Sequence, residues 1–547
     1  MFVKISIIAL AISMTIFGGI VTAQDILHND ISIRIWPGEK RLEGDCTITV
    51  SPRTDRAGSL FFDMLNGTIL SVELDGEPVE KYVYLALGEA SDKYDIYRLV
   101  IPIPQADSTA SLALRIRYLD DHFYGTATNP EDNKPFSLGQ IDAEAGSFSS
   151  HISYYPYIRY AGNSADIRIT VPDGQLAVSS GSLVGTSKPE PGWMTYHWHS
   201  DRGSGILPYP FAAHTYSTLD TVTADGKTKI EIYYHPEDEE YARQKMVILQ
   251  DIFAVYLRVF GDYPFSKLAL VETVLLEGNI GLAAQSVVML SKNVWFASDI
   301  DTLDLRITNI PLMVLADETA HQWNAYKVST PNFLAEGISR YTDSFYMAHR
   351  GARQGDDGVL QRHMTHTRAS YFRLIKKVPD IAINKSAVTP ALYFVKGALA
   401  LDMLRARLGE EMFLAGMRTY FTDNEGQVTG LRTFADAFEK ASGEELMWHF
   451  KQWYERDGHP VLRFDWSAEP GGPSKGFTVN IEIEQTQTGG PYRLLIPVEI
   501  SAEDGSTQRE VVEITEDKQS FVLTVPFRPD KVVPDPDQRL PVEIVGE

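Results

Sequence analysis

The chain has 547 residues, is 44% hydrophobic and 22% charged, and carries a net charge of −23. That length suffices for three or four domains, and its apolar and aromatic content excludes a disordered chain. The acidic balance argues against a nucleic-acid partner, whose phosphates need a surplus of Lys and Arg.

In chain order, the first element is a targeting segment. Lys4 precedes an apolar run from Ile5 to Val21, and Val21-Thr22-Ala23 places small residues before Gln24. This is the order of a secretory signal peptide over 1–23, which implies export to a periplasm or the extracellular space. The run is long enough that an uncleaved anchor is the alternative, and a membrane is a partner only in that case. No later stretch reaches about 18 uninterrupted apolar residues. Cys46 is the single cysteine, so no disulfide forms within the chain.

Residues 24–220 read as an antiparallel β domain. Ile31-Ser32-Ile33-Arg34-Ile35, Cys46-Thr47-Ile48-Thr49-Val50 and Ser111 to Tyr118 alternate at period two, with turns at Asp75-Gly76 and Pro172-Asp173-Gly174. From Pro236 the period becomes helical. A helix over 237–260 is closed by Gly261, strands follow over 268–272 and 286–290, and the next helix spans 303–326. Further helices are predicted over 333–350, 356–376, 388–408, 410–422 and 431–456. Gly458-His459-Pro460 ends that region, and alternation returns over 478–483, 492–500 and 510–514, predicting a C-terminal β-sandwich over 458–547. The fold class is α+β multidomain, with domains at 24–220, 221–457 and 458–547.

The stretch that carries chemistry is Asp317-Glu318-Thr319-Ala320-His321-Gln322-Trp323. In H-E-x-x-H, two histidines one helical turn apart hold zinc and the Glu between them is general base. Here Asp317 stands at the first position, and Glu318 and His321 fill the others. Asp317 and His321 are i and i+4, on one helix face. Glu336 follows on the next predicted helix, with 14 residues between it and His321. A carboxylate from that position completes a three-ligand site with the fourth place left for water. The bland alternative is a salt-bridged helix face. His363 and His366, i and i+3 on a polar helix, read as solvated. His197 and His199 alternate on one side of a strand.

These residues resemble the gluzincin metallopeptidases of the aminopeptidase N (membrane alanyl aminopeptidase) family. Phe260-Gly261-Asp262-Tyr263-Pro264-Phe265 is similar to the family's F-G-x-Y-P-F. His321-Gln322-Trp323 matches H-Q-W, Leu334-Ala335-Glu336-Gly337 resembles L-N-E-G, and Lys396-Gly397-Ala398 resembles K-G-A. Val533-Pro534-Asp535-Pro536-Asp537 resembles the last strand of the family's sandwich. The resemblance implies a β saddle, a thermolysin-like α-rich catalytic domain and a β-sandwich, without the C-terminal helical domain of longer members. It implies zinc as cofactor, with Asp317, His321 and Glu336 at the ligand positions, Glu318 as base and a peptide or protein substrate.

Three positions depart from the family. Asp317 replaces a histidine; carboxylates bind zinc, but two carboxylates and one imidazole make a harder site. The substrate-amine motif G-A-M-E-N aligns with Leu275-Leu276-Glu277-Gly278-Asn279, so Asn279 is retained and Glu277 is displaced by one. The oxyanion tyrosine position holds Phe394, with Tyr393 one residue early, a turn of about 100° on a helix. The sequence therefore admits two functions. One is an exported zinc metallopeptidase of aminopeptidase type, with Glu318 and Tyr393 catalytic and Glu277 and Asn279 on the substrate. The other is a catalytically inactive relative that binds peptide or a partner protein in the same cleft.

Overall fold

The computed structural model describes residues 24–52, 59–65, 67–91, 94–102, 111–120, 124–128, 135–142, 144–148, 153–158, 164–203, 207–273, 281–296, 310–385, 391–471 and 476–545. The predicted leader over 1–23 and the pair Glu277 and Asn279 lie outside the described residues. The chain is α+β: β-rich first, helical in the middle, and sheets again at the end. It divides into two compact units. One holds residues up to Thr330 together with Asn424–Val428, and the other holds Pro331–Asp423 and Thr429–Glu547.

In the first unit, alternation builds an eight-stranded sheet. Its strands run Ser182–Ser187, Trp193–Ser200, Ala165–Pro172, Gln24–Trp36, Arg41–Pro52, Leu112–Asp120, Thr68–Leu74 and Glu77–Pro78. Ile167, Ile169 and Val171 face the core, and the residues between them face outward. The pairs are antiparallel except Gln24–Trp36 with Ala165–Pro172, which run parallel because the chain returns to the sheet after a long excursion.

A second sheet of this unit runs Ser217–Val222, Lys229–Tyr234, Lys267–Thr273, Val287–Ser291 and Gly281–Ala284. The middle three strands are parallel, and the latter two of these are buried throughout, as a sheet covered on both faces requires. Helix α1 (Glu239–Phe260) makes the crossover and ends at Gly261 (φ +80°), whose N–H bonds the Leu257 carbonyl at 3.1 Å. The edge strand Gly281–Ala284 was not expected: Gly-Leu-Ala-Ala offers neither alternation nor β-branched residues. It forms by antiparallel pairing with Val287–Ser291 across a tight turn in which Ser286 takes φ +56°.

Glu272 is fully buried near the end of one parallel strand and accepts the His235 backbone N–H at 2.9 Å. Burial, with Asp238 and Glu237 nearby, pushes its carboxyl up from 4.5 to about 8 against the opposing effect of that N–H. Between those values the folded chain holds a proton that the unfolded chain has released. Stability from this group is therefore complete below about pH 4.5 and is lost as pH rises through about 8. Glu272→Gln is expected to remove this slope, so the melting temperatures of variant and wild type diverge towards pH 8. Parallel melting curves across the range would contradict the assignment.

In the second unit, helices α3 (Asn332–Ala352), α4 (Val359–Leu374), α5 (Ala391–Leu408), α6 (Glu410–Asp423) and α7 (Leu431–Ser442) precede the closing sheets; α2 (Ile310–His321) belongs to the first unit. The expected helix over 431–456 is two pieces. Gly443 takes φ +75°, its N–H closes α7 on the Glu439 carbonyl, and the chain resumes helix at Met447. The closing sheets have four strands (Lys518–Val525, Phe477–Gln485, Val461–Pro470, Glu543–Val545) and three (Thr507–Ile514, Leu494–Ser501, Lys531–Pro534). Val533 and Pro534 lie in a strand, but Glu543–Val545 follows it, so that strand is not the last.

Candidate active site

Asp317, Glu318 and His321 sit on α2 in the first unit. The side chains of Asp317 and His321 meet as the i, i+4 spacing requires, with Asp317 Oδ2 and His321 Nε2 3.5 Å apart. His321 Nδ1 lies 2.9 Å from Asn324 Oδ1. A proton on Nδ1 donated to that amide leaves the Nε2 lone pair facing the carboxylate, the usual tautomer of a metal-binding histidine. Immediately after His321 the helix widens into a π turn over Gln322–Lys327, a distortion frequent at functional sites.

The residues behind His321 lock α2 to the second sheet. Gln322 Nε2 donates to the Ala284 carbonyl and its Oε1 accepts the Ser286 N–H, both at 2.9 Å, which ties the helix to the edge strand and its turn. The Trp323 ring packs against Phe253, Tyr256, Phe260 and Tyr263, and its N–H points at the Gly261 and Asp262 carbonyls. The F-G-x-Y-P-F and H-Q-W segments are therefore two halves of one packing unit. Glu318 lies over Gly281 of the edge strand: a Cβ there would stand 2.5 Å from Glu318 Cγ, so glycine is what permits the approach.

Glu336 and Tyr393 belong to the second unit, buried on α3 and α5. These helices meet at two glycines. A Cβ on either Gly337 or Gly397 would stand 3.0 Å from the other's Cα. Tyr393 precedes Gly397 by four residues and so leans towards the same face of α5. Gly397→Val is expected to cost about 1–3 kcal/mol by forcing the helices apart. Gly397→Ala should cost less, since alanine's helix propensity recovers about 1 kcal/mol. Melting temperatures check the order; a valine variant as stable as wild type would deny the close contact.

Beside this contact, Lys396 is fully buried. Its Nζ donates to Asp380 Oδ1 at 3.0 Å and to the Gly458 carbonyl at 2.7 Å. Asp380 also accepts from Tyr371 at 2.6 Å and meets His459 Nδ1 at 2.8 Å. Burial alone would raise its carboxyl, but the His459, Lys396 and Tyr371 contacts outweigh burial and hold it below the ordinary range. His363, expected on a solvated face, is fully buried with Nδ1 3.4 Å from Ser344 Oγ. It lies one turn from Val359 and from Thr367, on the stripe that α4 buries.

Bonds of about 2.0–2.1 Å at tetrahedral angles hold two zinc donors about 3.3 Å apart. The 3.5 Å between Asp317 Oδ2 and His321 Nε2 fits two corners of such a site. Among the described residues, no group of three or more His, Cys, Asp or Glu side chains is arranged to hold a metal ion as it stands.

Residues 250–453 match the Peptidase family M1 domain. Over that span the chain is similar to the aminopeptidase N-type members of the M1 peptidase family. The chain is 25% identical over 253 residues to aminopeptidase N of Escherichia coli strain K12, a match over 43% of the chain and 28% of that protein. It is 33% identical over 110 residues to aminopeptidase N of Lactococcus lactis subsp. lactis, over 20% of the chain and 12% of that protein. It thus spans about a quarter or less of the length of these curated relatives. Its fold is that of Legionella pneumophila aminopeptidase A in complex with aspartic acid (TM-score 0.73, 16% identity, 97% of this chain and 60% of that one). An M1 zinc metallopeptidase mutant from Deinococcus radiodurans gives a TM-score of 0.61 at 17% identity, over 80% of this chain and 96% of that one.

Proposed function

We propose that this chain is an exported peptide hydrolase of aminopeptidase type, with Glu318 as general base and Asp317, His321 and Glu336 as the zinc donors. The observation that most supports it is the position of Glu318 above Gly281. It sets a carboxylate over a sheet edge, the element to which an extended peptide adds as one more strand. Zinc held by that donor set supplies Lewis acidity and a more acidic water. Glu318 takes the proton of the attacking water and returns it to the leaving amine. Asn324 fixes the His321 ring, Tyr393 offers its hydroxyl to the developing oxyanion, and Glu277 and Asn279 hold the free amine of the substrate. Export rests on the leader over 1–23; no described helix is long and apolar enough to cross a membrane.

A second reading, a non-catalytic relative that binds peptide or a partner protein, is favoured by Asp317, Gly278 and Phe394 at three family positions. One experiment separates the two. The purified chain is assayed for bound zinc by elemental analysis and for aminoacyl-arylamide hydrolysis, beside Asp317→His. The peptidase reading expects zinc and turnover in wild type. Zinc and turnover appearing only in Asp317→His would establish the second reading instead.

A further inference from the structure

In the second unit a cavity lies between α5 and the three-stranded closing sheet. On the central strand Leu494–Ser501, Ile496 and Val498 are buried in the sandwich, so Leu495 and Pro497 face the other way, paired with Glu513 and Val511. These residues and the last turns of α5 enclose about 150 Å3, walled further by Trp448, Asp535 and Arg539. The wall carries four carboxylates (Asp402, Glu513, Asp535, Asp537) and three guanidiniums (Arg407, Arg493, Arg539). Glu513 accepts from Arg407 and Arg493, Asp402 from Arg539, and Asp537 from Arg509. Asp535 differs. Its two oxygens accept the backbone N–H groups of Arg539 and Leu540 at 3.0 and 3.1 Å. The Arg368 guanidinium stays 3.9 Å away and donates to the Leu540 and Val542 carbonyls instead. The Asp535 side chain is 2% exposed, so water does little to balance its charge.

We propose that this cavity binds a small organic cation: an ammonium group on an apolar body of about one ring, with the ammonium on Asp535 and the body against Leu495, Pro497 and Trp448. The size sets the body, since an apolar void of about 150 Å3 takes a benzene ring. The charges set the head. Four carboxylates against three guanidiniums leave the wall one positive charge short, and the carboxylate without a bonded cation is the buried one. Burial pushes the Asp535 carboxyl up from 3.8 to about 6, although the two N–H groups and Arg368 pull the other way. A bound ammonium would relieve that burden. The site is also built in advance. Arg493 and Arg407 lie over the Trp448 ring at 4.5 and 5.2 Å and fix the indole. Asp535, at φ +47°, is held by its own N–H on the Pro497 carbonyl at 2.8 Å. Little ordering therefore accompanies binding.

The test titrates the full chain, by calorimetry, with phenethylamine and two molecules of the same shape, 2-phenylethanol and phenylacetate. The amine is expected to bind at pH 7 with a Kd of about 0.1–1 mM, ordinary for so small a ligand. At pH 5, where Asp535 holds a proton, it should bind about tenfold more weakly. The alcohol should bind more weakly than the amine at pH 7 and show no such slope, and the acid should not bind. Asp535→Asn should remove the amine's advantage over the alcohol. Ala406→Trp, at an exposed position of the wall, should block the cavity to both. The difference between wild type and Ala406→Trp separates this cavity from the candidate active site, which an amine also suits. If Asp535→Asn does not fold, the pH slope lost in Ala406→Trp gives the same reading. Amine binding that Ala406→Trp leaves untouched, no binding at all, or a preference for the acid overturns the proposal.

Discussion

Asp380→Ala is expected to lower the unfolding free energy by about 3–5 kcal/mol, the cost of leaving one partner of a buried ion pair uncompensated. The reason is the position of Lys396. Its ammonium is fully buried, and of its two acceptors only Asp380 carries charge. The same carboxylate also holds Tyr371 on α4 and His459 at the start of the last sheets. Three elements of the second unit thus lose a common anchor at once. Asp380→Asn, which keeps the shape and some of the hydrogen bonds, should cost less. Asp380→Leu combined with Lys396→Met should recover most of the loss, because two apolar groups replace the pair without an orphaned charge. Urea unfolding of the four proteins measures the set. A loss below about 1 kcal/mol for the alanine variant, typical of a solvated pair, would show that Asp380 is not the anchor described.

Glu318→Gln is expected to leave the fold and melting temperature unchanged and to lower kcat by about 10²–10⁴-fold, the usual contribution of a general base. The amide has nearly the shape of the carboxylate, so the contact over Gly281 survives while proton acceptance is lost. KM should move little, since Glu318 acts on the water rather than holding the peptide. Aminoacyl-arylamide kinetics on both proteins, prepared side by side with metal content matched, decide the point. Turnover that persists in the glutamine variant would assign the activity to another group.

What could be read from the chain was uneven, for physical reasons. The H-Q-W segment was legible as a motif, but its work, Gln322 gripping the edge strand and Trp323 filling an aromatic pocket, depends on residues nearly forty to seventy positions away. The edge strand itself was missed because Gly-Leu-Ala-Ala carries no periodic signal; its strand character comes from its neighbour. Asn324 was within reach, three residues after His321 on a helix, where its side chain returns to the same face. Asp380 was not: a lone Asp after a proline has no local signature, and its role lies in contacts with Tyr371, Lys396 and His459. Polar neighbours mark His363 as solvated, although its spacing from Val359 and Thr367 places it on the buried stripe.

The five residues Asn424–Val428 have a bearing on biosynthesis. They belong to the first unit although the chain on either side belongs to the second. Gly426 bonds the Lys327 carbonyl, Ser329 bonds the Gln427 carbonyl, and Glu425 pairs with Arg202. A ribosome that has released residue 330 has therefore not yet delivered the whole of the first unit. Its last piece emerges only after α3 to α6 have been made, so the two units cannot mature strictly one after the other. A fragment cut at residue 330 would lack these contacts, and dissecting the molecule calls for a circular permutant or a grafted loop rather than a simple truncation.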